Sequence, residues 1–323
     1  MKFTRTVLRC STLALIAASP ALFAQDYPNK PVRLIVGFAP GGGTDVFARI
    51  IGNEMTRAFG QQIIVDNRSG ANGVVAANLV SRATPDGYTV MIILSSHVIN
   101  ALSYKDLQFD AINDFTPVTA LATTPYVLTV HPSLPVNSVQ ELIALAKAKP
   151  GSINYASAGN GSIPHLFQEL MDSKVGIKLT HVPFNGSAPA LTDQLAGRVP
   201  LLMQSVLQCM PHLKSNRLKA LAITAGKRNA ALPDVPTLAE SGVPGYDADQ
   251  WWAMVTPRGL PKPIQTRLHG ELVKIVLAPK TKEYLASQGL EAMGTTPEQL
   301  STIMKNEYAK WAPLFKQGLV KPE

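Results

Sequence analysis

Two stretches of the chain share one pattern, in which an apolar strand leads into a glycine-rich loop and then into an amphipathic helix. In the first stretch, the β-rich residues 32–38 precede three glycines at 41–43, and apolar residues then recur at helical spacing. In the second, a strand near residues 153–156 precedes the loop at 157–162 and another amphipathic helix. Repeated units of strand, loop and helix predict parallel β-sheets covered by helices, which is an α/β fold.

The remaining elements fit two such sheets within 323 residues. Residues 87–96 form a continuous apolar run, typical of a strand that is covered on both faces. Ser138 and Glu141 are spaced as a capping box for a helix that Pro150 ends, and Thr296 opens a terminal helix. Ligands of open α/β sheets bind at the carboxyl ends of the strands. We therefore expect two lobes with a cleft between them and one glycine loop on each side.

The N-terminus has the three parts of a secretory signal peptide. Three basic residues lie within the first ten positions, residues 11–18 are apolar, and residues 20–24 provide a break that ends on a small residue. We predict cleavage of residues 1–24, a mature chain that begins near Gln25, and a periplasmic location. A membrane anchor is the weaker interpretation because the apolar run is shorter than the roughly 20 residues of a spanning helix.

Composition excludes several classes of function. With 46% hydrophobic and 16% charged residues, the chain is not a disordered segment. Its two cysteines, Cys10 and Cys209, lack the spacing of a zinc site or of a disulfide framework, so we expect no metal and no other cofactor. The formal net charge is +8, but no basic run is interleaved with aromatic residues. We therefore expect a small anionic ligand rather than a nucleic acid.

The first glycine loop has the features of an anion site. Backbone N–H groups at the start of a helix carry about half a positive charge, and glycines let a ligand approach them closely. Thr44 is expected to cap the helix through its side chain. The loop is not a dinucleotide fingerprint, because Val46 stands at the third glycine position, and it lacks the lysine of a phosphate-binding P-loop. A carboxylate or phosphate ligand remains, with ordinary strand–helix packing as the alternative.

Ser157, Ser162 and His165 around the second loop permit three interpretations. A serine hydrolase needs a glycine two positions before its nucleophile, but Tyr155 stands there for Ser157, so catalysis is poorly supported. In the second interpretation Ser162 caps the following helix and His165 is buried on its first turn. In the third, Ser162 and the loop amides bind an anion.

Two further segments leave alternatives open. Asn185 precedes Gly186 in a loop before a helix, where its amide either binds a ligand or forms a turn with the backbone. Trp251 and Trp252 either line a ligand cleft or lie one in the core and one at the surface. The six histidines are dispersed along the sequence, and we expect structural roles for them.

Seven segments of the sequence carry motifs shared with one known family. They include Phe-Ala-Pro-Gly-Gly-Gly-Thr-Asp at residues 38–45 and Val-Pro-Phe-Asn-Gly at residues 182–186. The others lie at residues 67–73, 85–88, 141–151, 155–165 and 233–242. Together they resemble the Bug family, the TctC-like periplasmic solute receptors of tripartite tricarboxylate transporters, over nearly the whole mature chain.

The resemblance implies a two-lobed periplasmic binding protein of the type II, or Venus-flytrap, class with a ligand cleft between the lobes. We expect one lobe to contain residues 25–122 and 226–323 and the other residues 123–225, with crossings near residues 119–126 and 222–225. The family implies a monomeric receptor rather than an enzyme, a small carboxylate ligand, and membrane subunits of a tripartite tricarboxylate-type transporter as partners. An exported serine hydrolase and a ligand-loaded partner of a membrane sensor are the alternatives.

The resemblance also implies a set of ligand-binding residues. From the first loop these are Ala39, Gly42, Gly43, Thr44 and Asp45. From the second they are Ala158, Gly159 and Ser162, with His165 in a supporting role. Asn185 and Gln204 complete the set. Both depart from the family pattern, which usually has lysine or arginine at the first of these positions and often aspartate near the second.

Overall fold

The structure is a computed structural model that describes residues 27–318 and Val320 of the 323-residue chain. The predicted signal peptide over residues 1–24 and the predicted mature N-terminus at Gln25 lie outside the described residues. Within the part of the chain that is described, no helix is both long and apolar enough to cross a lipid bilayer.

Strands and helices alternate through most of the described chain, as the sequence predicts for an α/β fold. The strands are β1 (Val32–Val36), β2 (Ile63–Asn67), β3 (Thr89–Leu94), β4 (Phe115–Val130), β5 (Asn154–Ser157), β6 (Thr180–Pro183), β7 (Leu201–Ser205), β8 (Lys219–Ile223), β9 (Asp249–Pro257) and β10 (Glu291–Ala292). The helices are α1 (Gly43–Phe59), α2 (Val74–Ser81), α3 (Ser96–Ser103), α4 (Val139–Ala148), α5 (Ile163–Val175), α6 (Ser187–Leu195), α7 (Val206–Lys214), α8 (Lys262–Leu277), α9 (Pro279–Ser287) and α10 (Pro297–Lys316).

The first lobe is built on a mixed sheet with the strand order β2-β1-β3-β9-β4. β1 pairs in parallel with β2 and β3, whereas β9 runs antiparallel to β3 and β4. The last five residues of β3 are buried, because α1 and α2 pack against this part of the sheet. The continuous apolar run therefore predicted a buried strand correctly.

The second lobe is built on the strands β4-β7-β5-β6, with β8 also paired to β4. β5 runs parallel to β6 and β7, and α5 and α6 pack against β5 and β7. The second glycine loop follows β5, just as the first follows β1. The expectation of two lobes with a glycine loop in each is confirmed.

One long strand links the two lobes. Residues 115–125 of β4 pair with β9 in the first lobe, and residues 126–130 pair with β7 and β8 in the second. The chain returns to the first lobe between β8 and β9. Connections of this kind allow two lobes to rotate against each other about a hinge.

The start of α1 corrects one prediction from the sequence. The helix begins at Gly43, with Gly42 at the N-cap position and no side-chain cap. Thr44 lies within the first turn, so the prediction that it caps the helix is wrong. Its hydroxyl instead accepts a hydrogen bond from Nε1 of Trp252 at 3.3 Å, because the first turn packs against β9.

The predicted capping box of α4 is only half formed. The Ser138 hydroxyl accepts from the backbone N–H of Glu141 at 3.1 Å, as expected. The Glu141 carboxylate, however, accepts from the N–H of Asn137 at 2.7 Å, one residue before the N-cap. The terminal helix α10 begins as predicted, with a complete capping box between Thr296 and Gln299.

The two adjacent tryptophans belong to the core. Trp251 and Trp252 are both buried. The ring of Trp252 stacks on Phe47 of α1 at 4.7 Å, and Nε1 of Trp251 donates to Glu307 of α10 at 3.2 Å. The expectation that one of them lies at the surface is wrong, because α1 and α10 cover both side chains.

Candidate ligand-binding cleft

The loops after β1 in the first lobe and after β5, β6 and β7 in the second meet where the two lobes face each other. They lead into α1, α5, α6 and α7 respectively. Because the N-terminus of a helix presents free N–H groups and a partial positive charge, this boundary favours negatively charged ligands.

The first glycine loop lies directly against the second lobe. A Cβ added to Gly43 would come within 2.8 Å of the hydroxyl oxygen of Ser205, at the start of α7. A Cβ added to Gly186, before α6, would lie 3.6 Å from the Cβ of Ala39. The absence of side chains at these glycines therefore allows the two lobes to approach each other closely.

The second glycine loop makes the reciprocal contact with the first lobe. Nδ2 of Asn72 donates to the carbonyl oxygen of Gly161 at 3.2 Å and to Oδ1 of Asn100 at 2.8 Å. A Cβ added to Gly161 would lie 2.9 Å from the Cβ of Ser103. The cleft is thus closed, with each glycine loop resting on the opposite lobe.

A cavity of about 250 Å³ lies at this closed boundary. Its wall includes the rings of Phe38 and Phe184 and the amide of Asn72. Of the residues predicted from the sequence, Ala158, Gly159 and Asn185 line this cavity. Of the others, Ala39, Gly42 and Gly43 lie against the second lobe beside it.

Several buried polar atoms around the cleft have no hydrogen-bond partner among the described residues. They include the hydroxyls of Ser162 and Ser205, at the starts of α5 and α7, and Oδ1 of Asn72. The hydroxyls of Ser95 and Ser96, between β3 and α3, are likewise buried without a hydrogen-bond partner in this part of the chain. An unsatisfied buried polar group costs about 1–3 kcal/mol. A ligand carboxylate that accepts from serine hydroxyls would remove this cost.

Ser162 occupies the N-cap position of α5, but its side chain does not cap the helix. The helix-cap interpretation of this hydroxyl is therefore not observed. Sequence reasoning missed Asn72 and Ser205. Ser205 ends an apolar strand and immediately precedes a helix, and Ser162 precedes a helix after a short loop. A serine at the start of a helix that follows a strand is therefore the sequence feature that could have identified Ser205.

Asp45 holds the first loop in place. Its carboxylate accepts hydrogen bonds from the Gly41 N–H at 2.9 Å, Nε of Arg49 at 3.0 Å and Nδ2 of Asn67 at 3.0 Å. Burial alone would raise the pKa of Asp45, but the hydrogen bonds from Arg49, Gly41 and Asn67 lower it below its ordinary value. The ionised carboxylate is thus fully engaged inside the first lobe.

Two stacked histidines support the second loop. The rings of His165 and His181 lie 4.0 Å apart and are almost parallel. Nδ1 of His165 accepts from the N–H of Gly161 at 3.0 Å, and Nε2 of His181 lies 2.6 Å from the hydroxyl of Ser157. Ser157 in turn accepts from the N–H of Gly159 at 3.1 Å. Both ends of the loop therefore depend on an imidazole.

Burial keeps these histidines neutral. Burial, with a smaller contribution from the neighbouring His181, lowers the pKa of His165 to about 3. Burial also lowers the pKa of His181 to about 4. Since Nδ1 of His165 accepts a hydrogen bond, its proton is on Nε2, which faces Glu169 at 3.9 Å. The expected structural role of these two histidines is consistent with this arrangement.

Gln204 lies away from the cavity wall. Its Nε2 donates to the hydroxyl of Thr129 at 2.8 Å and to Oε1 of Gln194 at 2.9 Å, inside the second lobe. Asn185, by contrast, is exposed at the rim of the cavity. The structure thus brings Asn185 to the cleft boundary and places Gln204 in a buried polar cluster beneath α6.

The serine–histidine contacts do not form a catalytic site. Ser157 is fully buried, and its hydroxyl is already bonded within the loop. The hydroxyl of Ser162 has no hydrogen-bonded base among the described residues. Within the same residues, no group of histidine, cysteine and acidic side chains is placed to hold a metal ion.

Comparisons with known proteins agree with this geometry. The family model described as the tripartite tricarboxylate transporter family receptor matches residues 47–319. BugT from Bordetella pertussis is 32% identical, over 94% of this chain and 94% of BugT. The R. palustris protein Rpa4515, solved with adipate, superimposes with a TM-score of 0.90 at 36% identity and covers 92% of this chain and 100% of its own. MatC from Rhodopseudomonas palustris, solved with bound malate, superimposes with a TM-score of 0.85 at 30% identity and covers 90% of this chain and 100% of its own.

These findings confirm the family, the two-lobed binding-protein fold and the role of a receptor in place of an enzyme. The hydrolase alternative is excluded because the family consists of substrate-binding receptors. The chain therefore belongs to the tripartite tricarboxylate transporter receptor family, whose members are periplasmic solute-binding proteins.

Proposed function

We propose that this receptor binds one small carboxylate between the first loop, residues 39–45, and the second, residues 158–162. The membrane subunits of a tripartite tricarboxylate-type transporter would then accept the ligand. Two relatives solved with adipate and malate support a carboxylate as the class of ligand. The proposal includes export to the periplasm after removal of residues 1–24, and a monomeric mature chain.

The observation that carries the proposal is the pair of buried hydroxyls of Ser162 and Ser205, which have no hydrogen-bond partner within the described part of the chain. Both lie at helix N-termini, where N–H groups and the helix dipole favour an anion. Ser205 also lies against Gly43, the first residue of α1 in the opposite lobe. A carboxylate held there would contact donors from both lobes at once.

Simple energetics are compatible with a receptor. A hydrogen bond to a charged acceptor contributes roughly 1.5–3 kcal/mol, and a favourable helix terminus adds up to about 2 kcal/mol. Several such contacts exceed the roughly 8 kcal/mol of micromolar affinity after the costs of association. In this proposal Asp45 and His165 hold the two loops, and Ser162 and the loop amides contact the ligand.

The lobe limits are part of the same proposal. We assign residues 25–122 and 226–323 to one lobe and residues 123–225 to the other. The change of partners along β4 between Pro125 and Tyr126 supports a boundary close to these limits. A ligand that bonds to both lobes favours the closed state, so closure would report occupancy to the transporter.

Calorimetry combined with product analysis tests the proposed function. The exported protein is first analysed by native mass spectrometry for a retained small acid, and is then titrated with a panel of mono- and dicarboxylates. One-to-one binding at micromolar affinity, with the ligand recovered unchanged, is the expected result. Chemical turnover of the ligand, or the absence of binding across the whole panel, would contradict the proposal.

A further inference from the structure

The cavity at the lobe boundary is uncharged. Fourteen residues form its wall, and none of these described residues carries a charge at neutral pH. The wall instead combines three aromatic rings with three side-chain amides. The rings belong to Phe38, Tyr104 and Phe184, and the amides to Asn72, Asn160 and Asn185.

Three cations lie beside the cavity wall or the first glycine loop in the sequence. Lys105, next to Tyr104, is exposed and is not part of the wall. Arg68, next to Ser69 in the wall, contacts Asp66 at 2.9 Å. Arg49, on the first turns of α1, contacts Asp45 at 3.0 Å. Asp45 balances the charge of Arg49, whereas Asp66 is shared by Arg68 and Arg33. None of Lys105, Arg68 and Arg49 belongs to the cavity wall, so none of these charges faces a ligand inside it.

The two regions of the cleft thus differ in chemistry. Ser162 and Ser205 supply hydroxyl donors at helix N-termini, which suit a carboxylate. The cavity supplies aromatic faces and amides, which suit an apolar body and a neutral polar group. A carboxylate that leaves water without a counter-charge is far more costly to bury than a neutral amide.

We propose that the ligand is a monocarboxylate whose distal end is uncharged, an amide, hydroxyl or ring that occupies the cavity lined by Phe38, Phe184 and Asn185. This inference rests on the proposed function, because it takes the carboxylate site near Ser162 and Ser205 as given. It adds that a second ionised carboxylate at the far end of the ligand is disfavoured.

Two pairs of ligands that differ only in distal charge test the inference. One pair is terephthalate and its monoamide, 4-carbamoylbenzoate, and the other is adipate and its monoamide. Calorimetric titration at pH 7.5 compares the members of each pair. We expect the monoamide to bind about tenfold or more tightly than the diacid in every pair that binds.

A diacid that binds as tightly as its monoamide, or more tightly, overturns the inference and leaves the proposed function intact. If none of the four acids binds at millimolar concentration, the proposed function itself is contradicted and the inference falls with it. These outcomes distinguish a failure of the inference about distal charge from a failure of the proposed function.

A variant with an added positive charge tests whether the uncharged cavity is the reason that diacids bind more weakly than monoamides. Asn185 is exposed at the cavity rim, so Asn185→Lys adds a solvated cation beside the distal site. We expect it to raise the ratio of diacid affinity to monoamide affinity about fivefold or more. The control is Asn53→Lys. Asn53 is exposed on α1, ten residues beyond the start of the helix, so this variant adds the same charge away from the cleft and should leave the ratio of affinities unchanged. If Asn185→Lys leaves the ratio of the two affinities unaltered, the inference is wrong.

Discussion

Ser162 and Ser205 each carry a hydroxyl that is buried without a partner among the described residues. We predict that Ser162→Ala and Ser205→Ala each weaken carboxylate binding by about 1–3 kcal/mol, because each removes a donor to a charged acceptor. The melting temperature without ligand should not fall, since neither hydroxyl bonds to another described residue. Calorimetry and thermal melting of the unliganded variants measure the two effects separately.

Ser215→Ala is the matched control for these variants. Its exposed hydroxyl donates to the carbonyl of Pro211 at the end of α7, away from the cleft. It should leave the affinity unchanged. Wild-type affinity in both cleft variants would show that the hydroxyls of Ser162 and Ser205 do not touch the ligand.

The stacked pair His165 and His181 predicts a loss of stability in acid. In the folded protein their pKa values are lowered to about 3 and about 4, whereas an unfolded histidine titrates near 6.5. Below about pH 6.5 the unfolded chain therefore binds more protons, and the free energy of unfolding falls as the pH falls towards 4. Urea denaturation at pH 7.5 and pH 5.0 measures this loss.

A variant isolates the contribution of the histidines. Burial raises the pKa of Asp172 to about 7, and this contribution has the opposite sign, so the wild-type slope alone is not decisive. His181→Phe retains a ring against His165 but does not titrate. Its free energy of unfolding should fall less between pH 7.5 and pH 5.0 than that of the wild type. An equal fall in both proteins would count against the stacked pair as the origin.

Local sequence patterns locate a residue where its position is set by its neighbours. The pattern places Ser162 at the start of a helix after a glycine loop, where the structure has it, and its contact with a ligand stays a prediction. The same reasoning extends to Ser205. Gln204, one residue earlier, was chosen by resemblance alone, yet it bonds to Thr129, which is 75 positions away in sequence. Local patterns do not contain such long-range partners.

Among the elements, the start of α1 offers a test of cleft closure. A Cβ on Gly43 would lie 2.8 Å from the hydroxyl oxygen of Ser205 in the other lobe, whereas a Cβ on Gly42 would have no neighbour nearer than 3.5 Å within the described part of the chain. We predict that Gly43→Ala lowers ligand affinity about tenfold by obstructing closure. Gly42→Ala, one residue earlier in the same loop, should lower the calorimetric affinity less than Gly43→Ala.

A double variant checks the mechanism of this effect. Combining Gly43→Ala with Ser205→Ala removes the oxygen that the new methyl group would meet. The double variant should therefore bind no more weakly than Ser205→Ala alone, which is a non-additive result. An equal loss in Gly42→Ala and Gly43→Ala would instead point to a general disturbance of the loop.

The order of strands and helices was largely predictable because it follows from apolar periodicity. The βα units around both glycine loops, the buried strand β3 and the capped start of α10 appear where the pattern placed them. The cap assigned to Thr44 failed because its partner, Trp252, is 208 positions away. The contact between Asn72 and Gly161 joins the two lobes and is equally invisible to local patterns.

In the molecule as a whole, the two lobes are joined by β4 and by the segment between β8 and β9, and they meet through the glycine loops. Besides the glycine loops, Phe167 of α5 stacks on Trp311 of α10 at 5.8 Å. Two chain connections between lobes suit rotation about a hinge. The hinge and the cleft therefore place ligand binding and lobe movement in one equilibrium, in which a ligand bonded to both lobes shifts the population towards the closed state.

Pulsed electron paramagnetic resonance between two spin labels decides whether a carboxylate is held between the lobes. Val75 on α2 and Thr192 on α6 are exposed, one in each lobe. Cys209 is fully buried, and Cys10 lies in the segment that we propose is removed on export. Labels therefore attach selectively to the exported Val75→Cys/Thr192→Cys variant. We predict that a saturating carboxylate shortens and narrows the distance distribution between the labels. An unchanged distribution, while calorimetry shows full binding to the same labelled protein, would contradict a site shared by both lobes and place the ligand within one of them.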